Sequence, residues 1–211
     1  GIFLLKNNNL RRIYSGYTHG LCINNDEIFF SSAAGKYTAI MKSKINFQNI
    51  QKDGLTNIKL LNTIEAKYHN ERIHGMCYDN KRKSICVANT KRNSILFVNP
   101  KNGLITVETF LMKDLSGYFI SVDHNHVNNV FEYNGIIFST MHNGSIGEKK
   151  KGGSLIGITD LKKAFFYTYK RRGIHDIFFD GNDLIFCDSF GYFENLKSKK
   201  NISGMPIKNG K

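Results

Sequence analysis

The stretch His74-Gly-Met-Cys-Tyr-Asp-Asn-Lys-Arg-Lys-Ser-Ile-Cys-Val-Ala-Asn-Thr90 holds a histidine, an apolar strand, a polar turn and a second apolar strand. The same order recurs from His19 (HGLCINNDEIFFSSA), His126 (HVNNVFEYNGIIFSTM) and His175 (HDIFFDGNDLIFCDS). The recurrence, about every 50 residues, is the mark of a propeller or an array of repeats.

Each unit extends into further strands. Unit one, residues 19–68, reads as strands over 20–23, 28–31, 37–41 and 58–65, with 42–56 as an inserted loop. Unit two, 74–111, reads as 75–78, 84–88, 94–98 and 104–111. Unit three, 126–169, reads as 127–133, 136–141, 153–158 and 164–169, its first hairpin turning on Asn134-Gly135. Unit four, 175–196, offers only 176–179, 184–187 and a third strand at 192–196, and the tail 197–211 shows no strand pattern. The N-terminus supplies two strands, 2–5 and 10–14, around an Asn-rich turn. Completing unit four with them closes a ring and removes exposed strand edges.

Four short antiparallel strands per unit, the innermost first, resemble the generic blade of NHL-like, SMP-30-like and WD40-like β-propellers. The resemblance implies an all-β fold: residues 1–211 as one small propeller of about four four-stranded blades, closed by the N-terminal strands. It is a likeness of architecture and brings no residue roles with it.

The chain has 211 residues, 41% of them hydrophobic, enough for one compact domain. No apolar run reaches the roughly 18 residues of a membrane span. No signal peptide is visible, although Gly1 stands where an initiator methionine would. Cys22, Cys77, Cys86 and Cys187 lie in apolar strands without a CxxC pair, as buried free thiols do in a reducing compartment. The expected location is the cytoplasm.

The formal net charge is +13. Its late clusters, Lys149, Lys150, Lys151 and Lys170, Arg171, Arg172, are candidates for weak, salt-sensitive binding of polyanions. A solvated basic surface is the plain alternative.

The first strand of each blade lines a propeller's central channel. His19, His74, His126 and His175 are therefore expected to face one channel mouth. Neutral imidazole ligates Zn, Fe, Mn or Cu, so the ring is a candidate site for one divalent metal or another small ligand. His124, Asn128 and Asp176 are candidate supports around it. The same histidines also suit a purely structural role, bonding loop backbone at each blade junction. Two function classes follow: a module binding a small ligand or protein through the channel, or a metal-dependent lyase, hydrolase or oxygenase with its site at the ring.

Overall fold

The computed structural model describes residues 1–65, 73–110 and 126–141, and beyond them the strands 154–158, 164–168, 174–179, 183–188 and 202–206. For these last five strands the backbone placement alone is described.

The chain forms five antiparallel sheets. The first is the hairpin of β1 (Ile2–Lys6) and β2 (Asn9–Tyr14). A four-stranded sheet follows from β3 (Leu21–Asn24), β4 (Glu27–Ala34), β5 (Tyr37–Lys44) and β6 (Thr56–Glu65). The next holds β7 (Ile73–Asp79), β8 (Ser84–Asn89), β9 (Ser94–Val98) and β10 (Ile105–Phe110). The fourth holds β11 (Val127–Tyr133), β12 (Ile136–Met141), β13 (Ser154–Ile158) and β14 (Ala164–Thr168). The last is three-stranded: β15 (Ile174–Phe179), β16 (Asp183–Asp188) and β17 (Ile202–Pro206). Within each sheet the strands pair in chain order. Neighbouring first strands lie side by side, β3 beside β7, β7 beside β11 and β11 beside β15. This is the arrangement of propeller blades.

The turns follow from residue type. Asn7 and Asn8 (φ 50° and 63°), and Asn134 and Gly135 (51° and 76°), take the left-handed conformation that two-residue hairpins require. Gly35 (φ 59°) opens the turn joining β4 to β5.

The core lies between the sheets, because a strand sends alternate side chains to opposite faces. On β4, Phe29 points to the second blade and meets Ile73, Met76, Ile85 and Val87. Its neighbours Ile28 and Phe30 point the other way, into a cluster with Ile2, Ile45, Ile50 and Leu55. On β8, Ile85 and Val87 face blade one, and Cys86 and Ala88 face Val127, Val130, Ile137 and Met141 of blade three. Each fully buried phenylalanine of these layers, such as Phe29 or Phe97, contributes about 1.5–3 kcal/mol.

The N-terminal hairpin sits on blade one as β6 sits on blade two. Leu55 N, in the loop between β5 and β6, donates to Ile13 O of β2 at 3.1 Å. Asn62 Nδ2 of β6 donates at 2.8 Å to Gly103 O, in the loop between β9 and β10. The hairpin of β1 and β2 thus meets the loop before β6 much as β6 meets the loop before β10.

Three expectations need correction. Among the described residues β1 and β2 form a ladder only with each other, and the strand beside β16 is β17, so the N-terminal strands do not pair beside 184–187. The tail therefore does contribute a strand. Its Gly204 and Pro206 suit a sheet edge, where a missing N–H is tolerated. Among the described residues no pairing closes the row of sheets into a ring. The inserted loop 42–56 is more ordered than its polar composition implies: β5 continues to Lys44, and Ile50–Asp53 makes one helical turn. Ile50 and Leu55, at its two ends, are the apolar residues that plug the cluster under β4. The expected third strand at 192–196 lies outside the described residues. Among the described residues no helix is long and apolar enough to cross a membrane.

Adjacent first strands approach so closely that glycine is required. A Cβ at Gly75 would stand 2.6 Å from Asn129 Cα and 2.9 Å from Val130 N on β11. One at Gly20 would stand 2.6 Å from His74 O. At Gly35 the same atom meets nothing within 4 Å. Gly35→Ala should therefore lose only the backbone preference, about 1 kcal/mol. Gly75→Ala should lose more than about 2 kcal/mol, since two strands must move apart. Urea unfolding midpoints compare the two, and equal losses would show that the close approach is not a constraint.

Candidate functional site

The three described histidines meet at one end of the first strands. His19 and His74 have ring centroids 5.1 Å apart, and His74 and His126 4.7 Å apart. Tyr17 meets His19 edge-on at 4.8 Å. All three imidazoles are half-buried. His126 meets the His74 ring, and His19 and His74 stand at the end of a cavity of about 880 Å³ that follows β3, β7 and β11. Leu21, Met76 and Val130 line its walls, and Asn24, Asn80 and Glu132 lie towards its far end.

Backbone and hydroxyl contacts orient this end. Ser31 Oγ accepts from Gly20 N at 2.9 Å and from His19 N at 3.2 Å. Thr90 Oγ1 lies 2.8 Å from Val127 O and 2.8 Å from His74 Nδ1. A hydroxyl has one proton, and a carbonyl only accepts. Thr90 must therefore donate to Val127 O and accept from a protonated His74 Nδ1. In neutral His74 the lone pair then resides on Nε2, the atom that can accept a proton or ligate. Thr90 is fully buried and ties β7 to β11 through this pair of bonds.

Pairing register changes the alignment of the repeats. Ile73 pairs with Asn89 and Met76 with Val87, so His74 and Gly75 together oppose one residue, in a β-bulge. Ile174 and Ile177 flank His175 and Asp176 in the same way. In blade three the flanking pairs are Val127 with Met141 and Val130 with Ser139, so the residue equivalent to His74 is Asn128. His126 stands two residues earlier, outside the strand. The signal was in the hairpins: His19 lies five residues before Asn24, His74 five before Asp79 and Asn128 five before Tyr133, each at the last pair before the turn. Asn128 is buried at the equivalent place, and its neighbour Asn129 lines the cavity.

His126 nevertheless reaches the imidazole row, and it does so from a left-handed backbone, φ 53°. Outside glycine this conformation is uncommon, and histidine, like asparagine, is among the side chains that enter it more readily.

Cys22 and Cys77 are not poised as nucleophiles. Burial, then Cys77, pushes the Cys22 thiol far above its ordinary value. A hydrogen bond with Cys86, then burial, does the same for Cys77. Both stay protonated at neutral pH. Cys22, Cys77 and Cys86 are free.

Among the described residues no group of three or more His, Cys, Asp or Glu side chains is placed to hold a metal ion. His175 is the second residue of β15, beside β11, but its side chain lies outside the described residues. So do His124, the Asp176 side chain, Lys149, Lys150, Lys151, Lys170, Arg171 and Arg172.

No known family's sequence profile matches the chain, and no curated protein matches it. Solved structures do match in fold. The computationally designed Ika4 protein superposes with a TM-score of 0.51 at 10% identity, over 92% of this chain and 93% of its own. Virginiamycin B lyase from Staphylococcus aureus gives 0.55 at 12% identity, over 87% of this chain and 54% of the lyase. A catalytically inactive histidine-to-alanine form of that lyase, with quinupristin, gives 0.53. A streptogramin B lyase gives 0.53 at 17% identity, over 98% of this chain and 59% of its own. The chain thus spans a little over half the length of these lyases, and the likeness is one of fold.

The Thr90 linkage is open to test. Long-range 1H–15N spectra of the wild type should show His74 as the Nδ1–H tautomer. Thr90→Val should mix the tautomers and cost about 1–3 kcal/mol, because Val127 O and His74 Nδ1 both lose a buried partner. An unchanged tautomer in Thr90→Val would remove Thr90 from this role.

Proposed function

We propose that the chain is a propeller-type binding module whose histidine-lined channel mouth takes a small ligand. The carrying observation is the unbroken contact of three imidazoles, His19, His74 and His126, two of which, His19 and His74, line the end of a cavity of ligand size. His74 Nε2 would accept a hydrogen bond from the ligand, and Leu21, Met76 and Val130 would take its apolar part. His175, one residue inside the first strand of the next sheet, would join the row. The sheets would be blades of a single propeller domain, with β1 and β2 as the outer half of a closing blade. The basic clusters at 149–151 and 170–172 would add weak, salt-sensitive attraction for polyanions.

An enzymatic reading rests on one specific feature. A neutral His74 with its Nδ1 proton held by Thr90 has the form of a general base. The fold is shared with lyases, one of which is inactive as a histidine-to-alanine variant. A divalent metal among the imidazoles is the third use of the same atoms. The described side chains form no group placed to hold one ion, so uptake would require the rings to turn.

The three uses separate experimentally. In a fragment screen by NMR, binders should shift the His74 and His126 ring signals and lose at least tenfold affinity in His74→Ala. Binders that leave those signals unmoved would go against the module. Uptake of one Zn equivalent, abolished in His74→Ala and lost as pH falls through about 6.5, would establish the metal, because protonated imidazole cannot ligate. Conversion of quinupristin, lost in His74→Ala, would establish lyase chemistry.

His126 separates function from structure. Asn accepts the left-handed backbone, so His126→Asn should leave stability unchanged or raise it by up to about 1 kcal/mol while weakening ligand binding. A large drop in thermal midpoint would assign His126 to the fold instead.

A further inference from the structure

Eight non-glycine residues among those described have a left-handed backbone, and six of them are asparagine. The two exceptions are His126, at the histidine mouth, and Lys83, at φ 52°. Asparagine tolerates this conformation because its short side chain bonds locally, whereas lysine gains nothing from it. The turn Asn80–Lys83 thus carries a residue that its backbone disfavours. Strain of this kind persists where another requirement overrides it.

Lys83 lines a second cavity, of about 650 Å³. β7 runs from His74 away from the mouth, so the turns after β7 and β9 both lie at the opposite end of the blade. The cavity forms between these turns. Arg82, Lys83 and Lys101 line it, and no carboxylate does. Arg82 is held in place: its Nη1 lies 2.6 Å from Oδ2 of the fully buried Asp79, and its guanidinium sits 5.7 Å over the Phe97 ring. That carboxylate balances one cation of the three. Neither Lys83 nor Lys101 lies in an ion pair among the described residues. Half-buried Tyr78 gives the cavity an aromatic wall. Burial and then Glu27 hold the Tyr78 phenol above its ordinary value, so it remains a neutral donor.

We propose that this cavity binds a tetrahedral oxoanion carried on a flat apolar group, an aryl or heteroaryl phosphate or sulfate ester. The oxoanion sits between Lys83 and Lys101, and Arg82 completes its neutralisation with planar donors suited to such oxygens. The ring lies along Tyr78. The site is separate from the histidine mouth and does not depend on the function proposed for it.

The test uses the full chain, with phenyl phosphate, inorganic phosphate and phenol as probes, followed by calorimetry and backbone NMR. Phenyl phosphate should bind at least tenfold more tightly than inorganic phosphate or phenol, shifting the signals of residues 82–84 and 99–101. Raising salt from 50 to 300 mM should weaken it severalfold, as for any contact carried by exposed charge. Lys83→Asn should raise the unfolding midpoint, because asparagine suits the turn, yet lose at least tenfold affinity for phenyl phosphate. His74→Ala should bind it as the wild type does. Affinity unchanged within twofold in Lys83→Asn would overturn the proposal. So would equal binding of inorganic and phenyl phosphate, or loss of binding in His74→Ala, which would move the ligand to the other cavity.

Discussion

Neighbouring first strands come within backbone contact at the glycines that follow His19 and His74, and the rest of the structure depends on that approach. A side chain at either glycine would drive into the adjacent strand. The same closeness brings His19, His74 and His126 into ring contact, although they lie about 50 residues apart in sequence. It also lets one threonine, Thr90, bond both His74 and the carbonyl of Val127. The junction that holds two blades together therefore also sets the protonation pattern of the central imidazole.

Outward from this inner seam, period-two alternation does the packing. Each central strand serves two cores, as Phe29 and Phe30 show by entering different clusters. A residue on β4, β8 or β9 is thus buried whichever way it points, and these strands read as continuous apolar runs. Nearly all the turns between them use asparagine or glycine at left-handed positions. The two departures are His126, in ring contact with His74, and Lys83, which lines the second cavity at the other end of the blades.

The strand hairpins were legible in the sequence with small errors. Val127–Tyr133 and Ile136–Met141 match their expected bounds, because Asn134-Gly135 admits one tight turn and one register. The N-terminal hairpin of two strands around an Asn-rich turn was legible too. The partner of β16 was not, because Ile202–Pro206, with a glycine and a proline in five residues, carries a weak strand pattern. Asn128 is hidden in the sequence as the counterpart of His74 because His126 stands two residues before it. The hairpin turn is two residues long in blade three and four in blade two, so the offset shows only when counted back from the turn. Arg82, Lys83 and Lys101 were not singled out, since their charges look like ordinary turn polarity until two turns are seen to meet.

Local chemistry alone decided that this chain makes short antiparallel strands in repeated units, because alternation and turn residues act over a few neighbours. It also placed a histidine near the entry of every first strand. Which imidazoles touch, which tautomer His74 adopts, and where cations gather without carboxylates depend on contacts between strands far apart in the chain. Those contacts are set by β-bulges, by the close approach at Gly20 and Gly75, and by the stacking of one sheet on the next. None of these appears in the order of residues, because each is a distance between backbones that only the packed sheets determine.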